Sequence, residues 1–253
     1  FAPPALKGLE LTDEQLRVQV AVIADGSFPK DQPNTTHCVV NVKKPHKQER
    51  MAQLLYAAGI EFKMNVPQSS AYLGYIRFSF KAPLRLKEFT DDFYSCSPEQ
   101  LKIIADEVMH WDGSVIVARA RFSSYIKASA DFVQYALAAN GVRSTVTPNT
   151  RERRGKVEVE WCTHVFNKTN LACLDGSGET KDARITKVPS TDGFKYCFMV
   201  PSTYLILRRN GRIFATGNTG KTVMSTASAL YQRIQYRTQH TIVIVPPILI
   251  LTW

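Results

Sequence analysis

The feature that most constrains this chain is that it repeats itself. An apolar, helix-like segment ends in Asp25-Gly26-Ser27, and a second one ends in Asp112-Gly113-Ser114, 87 positions later. Another helix-like segment ends at Gly59 in the first copy and at Gly141 in the second, 82 positions apart. Two markers recurring in register within a few residues imply an internal duplication.

Local signals fill in each copy. Thr12-Asp13-Glu14-Gln15 reads as a capping box that opens a helix. Leu16, Val18, Val20, Ala21, Val22, Ile23 and Ala24 carry it to Asp25-Gly26. It is apolar nearly all round after Val20, which predicts a central, buried helix. A strand is predicted over 37–44, a helix over about 47–58 ended by Gly59, and strands over 61–66 and 71–81. After a linker around 83–95, Ser97 caps a helix with Glu99 and Gln100 in its first turn, carried by Leu101, Ile103, Ile104, Val108 and Met109 to Asp112. A strand over 114–122, a helix over about 124–139 and strands over 143–148 and 156–166 follow. The periodicity therefore gives αβαββ twice, with halves at about 9–82 and 97–166.

Composition bounds the function. The 253 residues are 44% hydrophobic and carry 32 Lys and Arg against 22 Asp and Glu, a formal charge of +10, so a folded protein with an anionic partner is expected, nucleic acid first. Cys38, Cys96, Cys162, Cys173 and Cys197 are scattered and form no metal-binding spacing, which predicts reduced, mostly buried thiols in a cytosolic protein. The most apolar run, 241–253, is shorter than the roughly 18 residues a membrane span needs, so no membrane partner is expected. Phe1-Ala2-Pro3-Pro4 shows neither Met nor a signal pattern and reads as an internal start.

If the two helices pack side by side about a pseudo-twofold axis, Asp25 and Asp112 arrive together, and two carboxylates can hold Mg²⁺ (or Mn²⁺) through oxygen ligands and position water for phosphodiester attack. The strands suit DNA. Arg119 and Arg121 alternate with Ala118, Ala120 and Phe122; Tyr75, Arg77, Ser79 and Lys81 alternate with Ile76, Phe78 and Phe80; His37, Asn41 and Lys43 alternate with Cys38, Val40 and Val42. Such ribbons can read base edges while lysines and arginines neutralise phosphates. Arg151, Arg153, Arg154 and Lys156 cluster at a hairpin turn, suited to backbone contacts, while Glu158 and Glu160 are suited to accept from cytosine amino groups.

QVAVIADGSF (19–28) and EVMHWDGS (107–114) resemble the two motifs of single-chain LAGLIDADG homing endonucleases, and the resemblance extends over about 9–166, including LLYAAGI (54–60) and YALAANGV (135–142). It implies an α+β fold of duplicated αββαββ type with pseudo-twofold symmetry, a monomer bound to double-stranded DNA, and Asp25 and Asp112 as metal-binding catalytic acids. Glu107 stands where the second motif usually carries a small residue for close helix contact, and His110 and Trp111 precede the acid.

Beyond residue 166 the pattern changes. A linker-like DGSGE run at 175–179 is followed by short β patterns at 194–199, 204–208 and 212–215, the last two separated by Asn210-Gly211, a strong hairpin turn signal. PSTYLILRRNGRIFATGN (201–218) resembles the C-terminal splicing blocks of phage-type inteins. The resemblance implies that, after Gly217, Asn218 cyclises and Thr219 is the acceptor nucleophile. No N-terminal splicing block precedes Phe1, so a separate N-terminal intein fragment is the expected partner. Residues 219–253 resemble the start of superfamily 2 helicase-like ATPases. Gly220, Lys221 and Thr222 would bind nucleotide only after splicing, because a full phosphate loop needs Gly at 215 and the chain has Ala215.

The expected organisation is thus an endonuclease domain (1–166), a linker with a β-rich C-terminal intein segment (167–218), and a short α/β helicase-like fragment (219–253). The expected function is Mg-dependent double-strand cleavage at the uninterrupted host gene, joined to splicing chemistry. A non-cleaving, DNA-binding endonuclease domain that scaffolds an intein is the first alternative, and a fragment of an ATP-dependent helicase is the second.

Overall fold

The computed structural model describes residues 7–67, 73–116, 119–153, 155–166, 191–194 and 204–217, with the backbone alone at 115, 116, 119, 153, 156, 204 and 215–217. Helix α1 (Asp13–Asp25) leads into β1 (Gly26–Ser27), β2 (His37–Val42), α2 (Pro45–Ala57), β3 (Phe62–Asn65) and β4 (Ile76–Lys81). The plan recurs as α3 (Pro98–Trp111), β5 (Gly113–Ile116), β6 (Arg119–Ser124), α4 (Lys127–Ala139), β7 (Arg143–Arg153) and β8 (Lys156–Phe166). Each half is αββαββ rather than αβαββ. The two-residue β1 is too short to leave a periodic signal, and the stretch read as one strand over 114–122 is two, because Val115-Ile116-Val117-Ala118 contains no turn residue to mark the reversal. Strand β7 also runs past Pro148 to Arg153, where the proline faces Trp161 of β8.

Both sheets are antiparallel within a mixed α+β fold. The first has the order β1-β2-β4-β3, and the second β5-β6-β8-β7 continued by β10 (Arg212–Gly217) and β9 (Tyr204–Arg209), with Arg212 opposite Thr145. The chain divides into one compact unit of residues 1–173 and 208–213 and a second of 174–207 and 214–253, whose described residues are 191–194, 204–207 and 214–217. The turn joining β9 to β10 has Asn210 at φ 50° and Gly211 at φ 70°, the positive values that its Asn-Gly sequence predicts.

Matching devices start α1 and α3. The Thr12 and Ser97 hydroxyls accept from the backbone N–H groups of Gln15 and Gln100, whose side chains bond back to the cap residues. Both helices then bury apolar faces in one core shared by the two halves. Leu16, Val20 and Ile23 of α1, Leu101, Ile104 and Val108 of α3, Val40 and Phe78 of the first sheet and Phe122 of the second belong to it. The linker docks on the second half through Phe89 and Phe93, whose rings lie 4.9 and 5.7 Å from that of Phe132 on α4. Cys38, Cys96 and Cys162 are buried free thiols as expected, while Cys173 and Cys197 lie outside the described residues.

The glycine after each acid is required by space rather than by φ. A Cβ on Gly26 would lie 2.6 Å from the Val22 carbonyl oxygen and 2.9 Å from the Cys38 sulfur; one on Gly113 would lie 2.3 Å from the Met109 carbonyl oxygen. The chain turns from helix into strand too tightly for a side chain. Gly141 differs, because its φ of +73° is its only constraint. Gly113→Ala is therefore expected to cost about 2–4 kcal/mol, and Gly141→Ala about 1 kcal/mol. Urea unfolding of the two variants against wild type checks the ranking.

Candidate active site and nucleic-acid interface

Helices α1 and α3 pack against each other and both end in an acid. Asp25 is the last residue of α1 and Asp112 is the C-cap of α3. The two interact electrostatically: burial first, and the neighbouring Asp25 charge second, push the Asp112 carboxyl up to about 6. The repeated Asp-Gly thus brings its two acids to one place.

Two lysines flank this pair and a cationic cluster lies further along the helix interface, and sequence reading missed all of them. Lys47, in the first turn of α2, places its ammonium 2.7 Å from Asp25 Oδ2 and 5.5 Å from the centre of the Trp111 ring. Lys87, from the linker, donates to the Val22 and Ile23 carbonyls at 2.8 and 2.7 Å. It caps the negative end of α1, which has no basic residue in its own last turn. Crowding of its ammonium by protein lowers its pKa, against which Cys38, Asp112 and Asp25 pull it up. Arg17 of α1 and Arg50 of α2 converge on Glu107, which is fully buried in α3. The Trp111 indole N–H adds a third donor at 2.9 Å. Burial pushes the Glu107 carboxyl up, but the bonds from Arg50, Trp111 and Arg17 outweigh it and hold the group below its ordinary range. Apart from the Trp111–Glu107 bond, which lies within one helix, none of these contacts leaves a local pattern, because each joins two elements.

The residues fit a divalent cation. The donors Asp25 and Asp112 offer are hard carboxylate oxygens, the kind a divalent cation takes. Ser114 Oγ and Arg121 Nε, on residues directly opposed across β5 and β6, are buried without a hydrogen-bond partner, and the guanidinium N–H is a donor suited to an anion rather than a metal ligand. Among the described residues no cluster of three or more His, Cys, Asp or Glu is present that could hold a metal ion.

The proposed nucleic-acid contacts fall on the sheet faces turned away from the core. In the first sheet, Asn41, Arg77 and Asn65 form one row, with Lys63 and Ser79, then His37 and Lys81, in the rows beside it. Within β2, β3 and β4 the described residues of this face carry no carboxylate, and Glu61 precedes β3 at its margin. Arg77 Nε donates to Asn41 Oδ1 at 3.0 Å, and Lys43 lies over the Tyr75 ring at 5.7 Å. In the second sheet Arg121 opposes His164, and Thr145 and Arg143 continue that face on β7. Arg119 stands two positions before Arg121 on β6, in register with Ile116.

Asn149 donates to Glu160 Oε2 at 3.2 Å and Arg151 pairs with the same oxygen at 3.3 Å. Glu158 likewise sits opposite Arg151 in the ladder. Arg153 and Lys156 pair at the end of the β7–β8 hairpin, and Arg154 lies outside the described residues. Gly217 ends β10, whereas Asn218, Thr219, Gly220, Lys221 and Thr222 lie outside the described residues.

No protein-family model and no curated protein matches the chain. Solved structures give similarities of outline. One, from work on mesophilic variants of the homing endonuclease I-DmoI, has 13% identity and a TM-score of 0.42, covering 61% of this chain and 89% of that one. I-DmoI in complex with DNA and Mn gives 13% identity, a TM-score of 0.42 and coverage of 60% and 89%. Full-length DUF199/WhiA from Thermatoga maritima gives 11%, 0.39, and 61% and 51%.

The Asp112 shift carries a stability consequence. Its folded pKa of about 6 lies above the ordinary value of 3.8, so between those values the folded state holds more protons than the unfolded one. Stability is therefore present in full below about pH 4 and is lost as pH rises through 6. Asp112→Asn removes the ionising group and is expected to be more stable than wild type by about 1–3 kcal/mol at pH 7, with the gain vanishing near pH 4. Urea unfolding between pH 4 and 8 measures it.

Proposed function

We propose that residues 1–166 are a LAGLIDADG homing endonuclease domain that binds double-stranded DNA and hydrolyses both strands, carried by a protein-splicing element ending at Asn218. The observation that carries this reading is the convergence of Asp25 and Asp112 at the ends of two packed, duplicated helices.

In this reading the sheet faces grip the duplex. Lys63, Arg77 and Lys81 of the first sheet and Arg121 and Arg143 of the second neutralise phosphates, while Asn41 and Asn65, beside Arg77, offer amide groups to base edges. Asp25 and Asp112 would hold Mg²⁺ or Mn²⁺, which supplies Lewis-acid activation of water and of the phosphodiester when bound. Lys87 fixes the end of α1 and thereby the position of Asp25. Glu107 does not break the helix interface as an unpaired charge would, because Arg17, Arg50 and Trp111 satisfy it.

The splicing reading rests on sequence: Asn218 cyclises, Thr219 accepts the upstream segment as an ester, and Gly220, Lys221 and Thr222 belong to the host ATPase. A non-cleaving DNA-binding domain is the second reading, favoured by the Lys47 ammonium that already occupies Asp25.

The deciding experiment incubates the full chain and Mg²⁺ with plasmids carrying the uninterrupted or the interrupted host gene. Cutting of the uninterrupted site alone is expected, and binding without cutting would select the second reading. Asp25→Asn and Asp112→Asn should slow cleavage by about 10²–10⁴-fold and change DNA affinity little; undiminished cutting by either would remove that acid from the mechanism.

A further inference from the structure

The two lysines beside the acid pair are held in different ways. Lys87 is spent on main-chain carbonyls of α1. Lys47 bonds one carboxylate oxygen, Asp25 Oδ2, and rests on the face of Trp111. The indole ring is in turn fixed from behind. Its N–H donates to Glu107, which is fully buried and anchored by Arg17 from α1 and Arg50 from α2. The ring cannot turn away from Lys47 without breaking a bond to a buried carboxylate, which is costly. An ammonium over an indole face is attracted by the ring quadrupole, so the platform and the carboxylate hold Lys47 together.

We propose that Glu107 and Trp111 are positioning residues for Lys47, and that the Lys47 ammonium is a resident cation on Asp25 which an incoming divalent ion must displace. The inference rests on the reading of Asp25 and Asp112 as the metal-binding pair. It assigns a purpose to the one residue of the second motif that departs from close helix packing. It also links metal to substrate: a lysine displaced from Asp25 needs another anion, and a phosphodiester bound at the site supplies one. Divalent cations should then bind weakly to the free protein and more tightly once DNA is present, with DNA affinity raised reciprocally by the metal.

The test is Mn²⁺ binding to the full chain without DNA, read by electron paramagnetic resonance of the free ion, with thermal melting to verify folding of each variant. Lys47→Met is expected to bind Mn²⁺ about tenfold more tightly than wild type. Trp111→Leu, which removes the platform, should tighten binding by about threefold, and Trp111→Phe, which keeps a ring, should lie closer to wild type. Asp25→Asn should lose the site. Unchanged affinity in Lys47→Met, with the site lost in Asp25→Asn, overturns the resident-cation role and leaves the metal pair standing. Wild-type affinity in Trp111→Leu, with Lys47→Met tightened, overturns the positioning role. Mn²⁺ binding unaffected by Asp25→Asn removes the metal pair itself, and the inference with it.

Discussion

The packing of α1 against α3 is the contact on which the rest of the first unit depends. It joins the two halves into one core, and it makes both helices end at the same place, so their terminal acids become neighbours. A buried carboxylate lies in this contact. Removing one member of a buried ion pair typically costs about 3–5 kcal/mol, so Glu107 is tolerable only with its partners. Those partners come from α1, α2 and α3 itself, and the ion network therefore specifies which three helices meet and in what register. An apolar residue at 107 would hold the helices together without defining that arrangement.

Electrostatic tension is concentrated at the acid pair. Asp112 is pushed up by burial and by Asp25, and Lys47 and Lys87 only partly offset the negative charge. A purely structural helix end would avoid a second carboxylate, since a neutral residue there would relieve the repulsion. Perturbed carboxylates of this kind concentrate at functional sites, and the proposal of a cation-binding pair builds on that. The tight glycine turns serve the same end. They let each half leave its helix at once into a strand, so that Ser114 follows Asp112 by two positions and Arg121 lies opposite Ser114 across β5 and β6.

Much of this was legible in the sequence because it is encoded locally. The duplication, both capping boxes, the Asp-Gly helix ends and the Asn-Gly hairpin are short patterns whose physical cause lies within a few residues. The pairing of the halves followed from the repeat itself. Features set by tertiary placement were not legible. Lys47 reads as an ordinary residue at the start of an amphipathic helix, and Lys87 as a linker charge, until the fold brings them to the acids. Glu107 reads as a departure from close packing because its compensation comes from Arg17, 90 positions away, and Arg50, 57 positions away. Strand β1 and the break between β5 and β6 were invisible because two residues cannot show a period and an apolar run conceals its own turn.

The two copies have also diverged along their outer strands, in a way that ties the C-terminal hairpin to the second half. Val146 of β7 donates its N–H to the Gly211 carbonyl, and Gln134 of α4, wholly buried, donates to the same oxygen at 2.7 Å. Arg208 pairs with Asp131 of α4. Gly211 is confined there, since a Cβ would collide with the Val146 carbonyl oxygen. In the first half the corresponding edge strand is β3, where Met64 is 56% exposed. The edge of β7 is therefore closed by residues that the sequence assigns to a different functional segment, and residues 208–213 belong energetically to the first unit. The stability of α4 and β7 depends on that hairpin tip, so a boundary drawn at residue 166 from sequence patterns divides a set of contacts that the fold keeps together.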